Sequence, residues 1–593
     1  MVSKGGHRKA TLTPNITCCS VESTNTSPRS SRTFVDTSDM RRVRDDVPWQ
    51  LWIVAIIAFW ERASFWGITA PWQNYMQHPP HYHEGETPGA LGLGQSMATR
   101  IYCAFFILYY FAPTLFAIVA DSWLGHFTTL VISAIIYCLG CAALTVSSIP
   151  SQLDKGWGLP GLILAMGLIA IGGGGFRAIM VPFIADQYTE EKALVKTLKS
   201  GEEVITDRQL TLQYIYNLYF WVGNLGSLSW FLTVWLELHK GFTSAYALCL
   251  GCLVIAVVML IAGQHWYIKP PHEDNVLPAA TKIITCACRN GLKMAHAQPE
   301  YQLEHRQHTV SWSGELVTEV ARGLQACRVL IAFVVFYVCF DQMQNNLISQ
   351  AAEMETNGTP NDLVPAMNQV GCIVFAPLIQ EVLYPFLHRR RIYLRPATRI
   401  TIGFCFIASS MLYATIVQHF IYASSEAKVN VWIQAPLYIL MAIGEVFAMV
   451  TAMEYAYDNS PQRMKAIVQA VSLLIAGFGS AIAMALTPAA RDPLMVGFYG
   501  GLTGAMVVTT VVFYIVFRHY DRPAAKDEET ATKLTSAGAG TGLLAPGAVI
   551  ASASQVSLQQ RPTVEITTEK ANTTDAPMAE DKKEPVVEVK HVN

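Results

Sequence analysis

The stretch "WQLWIVAIIAFWERASFWGIT", residues 49–69, sets the reading of the whole chain. As a helix rising ~1.5 Å per residue, it is long enough to cross a hydrocarbon layer of about 30 Å. Apolar residues occupy every face, so no side of it is made for water. Yet Glu61 and Arg62 stand next to each other in its second half. A charge at membrane depth is costly and persists where it is paired or where it acts on something. The stretch therefore reads as a membrane span that carries a charged pair into the interior of a bundle.

The composition agrees. Of 593 residues, 52% are hydrophobic and 15% charged, against about a quarter charged in soluble proteins. The net charge of -2 gives no field for nucleic acid. Apolar runs of span length recur at 49–76, 99–120, 127–148, 160–184, 211–235, 244–266, 325–348, 365–386, 398–420, 430–456, 464–487 and 494–518. Lipid cannot hydrogen-bond a backbone, whereas a helix satisfies its own. The expectation is an all-α membrane protein with twelve transmembrane helices. The 13 cysteines show neither metal-ligand spacing nor a disulfide framework and read as small packing residues. With no metal cluster, nucleophile–base pair or cofactor motif, neither an enzyme nor a bound cofactor is expected.

Basic residues give the sidedness. Lys4, Arg8, Lys9, Arg29, Arg32, Arg41, Arg42 and Arg44 lie in the N-terminal tail, and Arg389, Arg390, Arg391 and Arg395 follow span eight. The loops after spans four and six are also Lys- and Arg-rich, while 77–98 and 349–364 hold neither. Both tails and the central loop are thus expected in the cytosol. The organisation reads as a disordered tail (1–47), a six-helix bundle (48–268), a cytosolic linker (269–324), a second six-helix bundle (325–520) and a second disordered tail (521–593). Within the linker, "AATKIITCACRNGLKMA" (279–295) has apolar residues at helical spacing. It fits a helix on the membrane surface, or equally a soluble linker helix. Twelve helices split six and six suggest a major facilitator fold, in which substrate binds near the midplane between the halves. A channel or an intramembrane enzyme shares the topology.

Ionisable residues inside the spans are the functional candidates. They are Glu61 and Arg62 in span one, Arg177 in span four, Asp341 in span seven, and Glu445 and Glu454 in span ten. Glu445 and Glu454 are nine residues apart, two and a half turns of an α-helix, so only one is expected to face the centre. "GGGG" (172–175) precedes Arg177 by one residue; no Lys-Ser/Thr follows it, so it reads as close helix packing rather than a phosphate loop.

From about 48 to 520 the chain resembles the proton-coupled oligopeptide transporter family of the major facilitator superfamily, in its fungal form. "ERASFWGITAPWQNYMQ" (61–77), "ADSWLGHFTT" (120–129), "GGGGFRAIMVPFIADQYT" (172–189) and "YNLYFWVGNLGSL" (216–228) are similar to its first-half signatures. "FDQMQNNLISQA" (340–351), "GEVFAMVTAMEYAYDNSP" (444–461) and "GSAIAMALTP" (479–488) are similar to those of the second half.

The resemblance implies alternating-access uptake of di- and tripeptides coupled to protons. A peptide zwitterion calls for an acid at its amino end and a base at its carboxylate, and a protonatable acid paired with a base links the two events. By resemblance, Glu454 holds the peptide amino group, Asn224 contacts the peptide backbone, and Tyr110 lies near the site. Arg62 and Arg177 serve substrate binding, and Glu61, Asp341 and Glu454 serve proton coupling. The chain departs from the family pattern at Ala58 (the first glutamate of ExxER), at Phe65 and Trp66 (tyrosines), and at Arg177 (a lysine). It departs again at Thr69 (an arginine), Cys103 (a histidine in animal members) and Phe220 (a tyrosine). An arginine does not release its proton as a buried lysine can. These changes point to an altered substrate range or coupling. An uncoupled carrier of another small polar metabolite, or a non-transporting sensor of the same fold, are the other readings. The plasma membrane is the expected location.

Overall fold

The computed structural model describes residues 42–518 and two strands near the C-terminus. Within 42–518 it leaves out 81–86, 189–194, 198–202, 270–275, 425–428, 461–464 and a few single positions. The expected disordered tails fall almost wholly outside the described residues. Two compact units emerge. One contains two small sheets. Strand Glu203–Thr206 pairs parallel with Arg42–Val43 and antiparallel with Val195–Thr197, and Thr563–Thr567 pairs antiparallel with Glu588–Val592.

The other unit is helical. Among the described residues, eleven helices are long and apolar enough to cross a membrane: Trp49–Gln77, Gln95–Val119, Gly125–Ser147, Gly158–Asp186, Phe242–His265, Gly314–Ala352, Ala366–Leu387, Pro396–Ala423, Val431–Ala456, Val468–Ala489 and Met495–Phe517. The fifth position in chain order is taken by Arg208–Ser227, continued after Leu228 by Ser229–Lys240. Spans one to six thus precede the connector and spans seven to twelve follow it. The outward faces are apolar: Leu115, Leu139 and Val508 are 65%, 58% and 62% exposed. Water would penalise such a surface, and lipid does not. Aromatic side chains such as Trp72, Tyr102 and Tyr109 fill the interior instead.

The four glycines of span four explain its tight seat. A Cβ on Gly172 would stand 2.4 Å from the Tyr137 backbone nitrogen in span three, and one on Gly174 would stand 2.9 Å from the Tyr109 carbonyl in span two. Only glycine lets these helices approach backbone to backbone.

The connector helix Val276–Arg289 turns its apolar face onto protein. Ala280, Ile283 and Ala287 pack with Val317 and Val320 of the helix leading into span seven, flanked by Ala117 and Ile118 of span two and Val471 of span eleven. Lys282 and Arg289 remain exposed. The described part of its apolar stripe is thus buried against protein.

Hydrogen bonds between the two halves gather at the Lys-poor end. Gln73 donates to Ser349 at 3.2 Å and Gln95 to Asn346 at 3.0 Å. Asn74 and Asn361 donate to each other, each at 2.8 Å. Tyr102 donates to Gln344, and the Trp230 indole donates to the Asp362 carbonyl at 2.6 Å. This end of the bundle is closed.

Candidate substrate and proton site

Span one places Glu61 and Arg62 in its buried stretch, 1% and 9% exposed. The Arg62 guanidinium holds both carboxylate oxygens of its neighbour, Nε to Oε2 at 2.6 Å and Nη2 to Oε1 at 2.7 Å. This bidentate fork is the strong form of the pair. The Arg62 stem lies against span five, where a Cβ on Gly226 would stand 3.0 Å from the Arg62 Cβ. Asn224 sits on that same turn, half-buried.

Arg177 does not reach Glu61. Among the described residues it forms no ion pair, and its guanidinium lies over the Tyr109 ring at 5.8 Å. Tyr109 stacks on Phe65 at 4.8 Å, and Arg62 lies 5.1 Å from the same Phe65 ring. Two aromatic rings therefore separate two guanidinium groups, offering π faces to both and weakening their repulsion. The expectation that Arg177 serves the site gains an aromatic platform that the sequence reading did not name. Phe65, in the position of a family tyrosine, is part of it.

Across the bundle, Asp341 accepts a hydrogen bond from Ser480 Oγ at 2.6 Å, joining spans seven and eleven. No cation pairs with it among the described residues. Cys103, in the position of an animal-family histidine, stands near this carboxyl and supplies no positive charge. Tyr110 is within electrostatic reach of both Arg177 and Asp341. It lies 6.3 Å ring to ring from Tyr337, which in turn senses Arg177, Asp341 and Glu445. The structure thus brings Arg177, Tyr110 and Asp341 together, with Tyr337 and Glu445 beside them.

Glu454 is not brought to this group. It is half-exposed, with its carboxylate 4.0 Å from the Arg399 guanidinium at the start of span nine. Glu445 is the more central of the two, accepting from Asn368 at 3.2 Å and from Cys372 Sγ at 3.4 Å on span eight. As their nine-residue spacing led one to expect, only one of the two faces inward, and a π-helical turn at Val446–Val450 lies between them. Such a turn holds one more residue than an α turn and rotates the rest of the helix by ~100°.

The family signature PTR2, described as the POT family, matches residues 127–499. The chain belongs to the POT family. It is 34% identical over 512 residues to the probable peptide transporter ptr2 of Schizosaccharomyces pombe, covering 84% of this chain and 82% of that protein. It is 37% identical over 497 residues to the peptide transporter PTR_C of Candidozyma auris, covering 81% and 86%. A crystal structure of an auto-inhibited POT family peptide transporter superposes with a TM-score of 0.64 at 20% identity, covering 80% of this chain and 99% of that one. The twelve helices of this POT-family chain accordingly form the major facilitator fold, in two six-helix halves. Ser480 and Tyr109 escaped the sequence reading because a hydroxyl inside a span carries no charge signal. Tyr337 lay four residues before Asp341, on the same helix face, and that spacing was the available clue.

Proposed function

We propose that this protein takes up di- and tripeptides with protons by alternating access, with both tails cytosolic and the plasma membrane as its site. The observation that carries the reading is the placement of opposite charges on opposite halves. Arg177 in the first half has no carboxylate partner among the described residues, and Asp341 in the second half has no cation. A zwitterion lying between them would satisfy both, with Tyr110 and Tyr337 along its length. Arg177 would take the peptide carboxylate, and Asn224 the peptide backbone. Glu445, rather than the half-exposed Glu454, would be the second acid beside Asp341 at the amino end. The Glu61–Arg62 pair and Asp341 are the proton-handling groups: a proton on Glu61 frees the Arg62 guanidinium, and Asp341 is an acid that no cation among the described residues holds ionised.

Membership of the POT family and identity to fungal peptide transporters support the substrate class. The charge bias supports reading the Lys-poor end as the outer one, and on that reading the described state is closed to the exterior. The test uses purified full-length protein in liposomes, given labelled di- and tripeptides with and without an inward proton gradient. Accumulation above equilibrium only with the gradient is the expected result. Equal equilibration in both would overturn the coupling, and no uptake of any peptide would overturn the substrate class.

A further inference from the structure

At the closed Lys-poor end, two acids from opposite halves face each other. Glu237 ends span five and is 3% exposed; Asp362 lies in the segment before span eight and is fully buried. Their carboxyl groups meet in side-chain hydrogen-bond contact. Asn74 of span one donates to Glu237 Oε1 at 3.4 Å and to Asn361 at 2.8 Å. Glu237 Oε2 and both Asp362 carboxyl oxygens find no donor hydrogen elsewhere. Neither acid has a Lys, Arg or His within ion-pair distance among the described residues. The titratable groups that sense them come from neighbouring helices: Tyr246 of span six feels both, and Tyr75 and Cys249 stand beside Tyr246. These are phenols and a thiol, neutral at physiological pH.

Two carboxylates cannot both ionise in contact inside a dry site. A hydrogen bond between them also requires a proton on one. We infer that Glu237 and Asp362 share a proton and form a proton-operated latch on the outer face, distinct from the central charges of spans one, four and seven. Closure brings the two halves together around the shared proton, and opening hydrates both acids and releases it to the outside. Burial pushes Asp362 up to about 6 from its ordinary value, in keeping with a proton held more tightly in the closed state. The latch rests on the alternating-access reading of the outer face but needs no statement about the substrate.

The test places a cysteine at Ala366, which is fully buried in the apolar cluster with Trp230 and Val234 beneath the latch. The full-length chain in cells is exposed to a membrane-impermeant maleimide at external pH 5 to 8. Rates are divided by those of Asn357→Cys, an exposed site before the same span, which cancels the thiol's own pH dependence. One proton released per opening makes the normalised rate rise with pH, by up to tenfold per unit. In the Glu237→Gln/Asp362→Asn chain, or in Asp362→Asn alone should the double variant misfold, the rate becomes independent of pH. A flat profile with the acids intact, no labelling at any pH, an unchanged slope in the amide variants, or a rate that follows sodium or calcium at fixed pH would each overturn the latch. Peptide uptake is measured on the same cells. Loss of uptake with the slope intact sinks only the transport reading, and loss of the slope with uptake intact sinks only the latch.

Discussion

Replacing Arg62 by Gln leaves the Glu61 carboxylate 1% exposed and without its two guanidinium bonds. Unit charges about 4 Å apart at an effective dielectric of ~20 attract by about 4 kcal/mol. Stranding one partner of a buried pair costs about 3–5 kcal/mol, so two routes agree on the scale. For a helical core of roughly 450 residues, at ~2.1 cal/mol/K per residue, 4 kcal/mol lowers Tm by about 4 °C. Glu61→Gln strands the arginine and is expected to cost a similar amount. The Glu61→Gln/Arg62→Gln chain strands neither, so its Tm should lie above that of either single variant. The assay is a thermal melt of detergent-solubilised protein for all four members of the cycle, read by monodisperse fluorescence on a sizing column. A double variant that loses the sum of the two single losses, about 8 °C, would refute a buried mutual pair.

Glu454→Gln should leave the peptide KM within about twofold, while Glu445→Gln raises it about tenfold, a difference of ~1.4 kcal/mol in binding. Liposome uptake at varied peptide concentration checks this, and the reverse order would restore Glu454 to the site. Arg177→Gln should raise KM at least about tenfold with little change in Tm, since a half-buried arginine without a carboxylate partner contributes little to the fold. Gly172→Ala puts a methyl 2.4 Å from the Tyr137 nitrogen and should lower Tm more than Gly251→Ala, where nothing lies within 4 Å. Stability should also fall as pH rises from about 5 to 8. Burial raises Glu353 to about 7 and Asp362 to about 6, so the folded chain keeps protons that the unfolded chain gives up. That stability is complete at low pH and is lost as pH climbs through the raised values. Melts at pH 5, 6.5 and 8 check it, and a rising Tm would contradict it.

The spans, their number and the glycine seat of helix four were legible because each is written locally, in runs of apolar residues or in four consecutive glycines. The pairing of Glu61 with Arg62 was legible in part. Adjacency was visible, but the separate place of Arg177, away from that carboxylate, depends on how span four stands against span one, which no local pattern records. That one of Glu445 and Glu454 would face the centre was legible from their spacing; which one was not, because it depends on how span ten packs against spans eight and nine. Glu237 and Asp362 are separated by more than a hundred residues and each sits at the margin of an apolar run. An acid at a span end reads as a solvated residue until the opposite half is seen to close over it.

The π turn at Val446–Val450 has a counterpart in span eight, at Leu378–Leu383, and another after span two, at Ala120–Leu124. Each amounts to a single-residue insertion absorbed without breaking a helix. An insertion of that kind leaves everything upstream where it was and turns everything downstream onto a new face. Kinship inferred by counting positions along an ungapped helix therefore holds only up to the wide turn. A relative with a plain α-helix there would present different side chains at the same nominal column. Gaining or losing one codon at such a place re-aims half a span at a stroke, giving a lineage of transporters a short mutational route to new substrates without rebuilding the bundle.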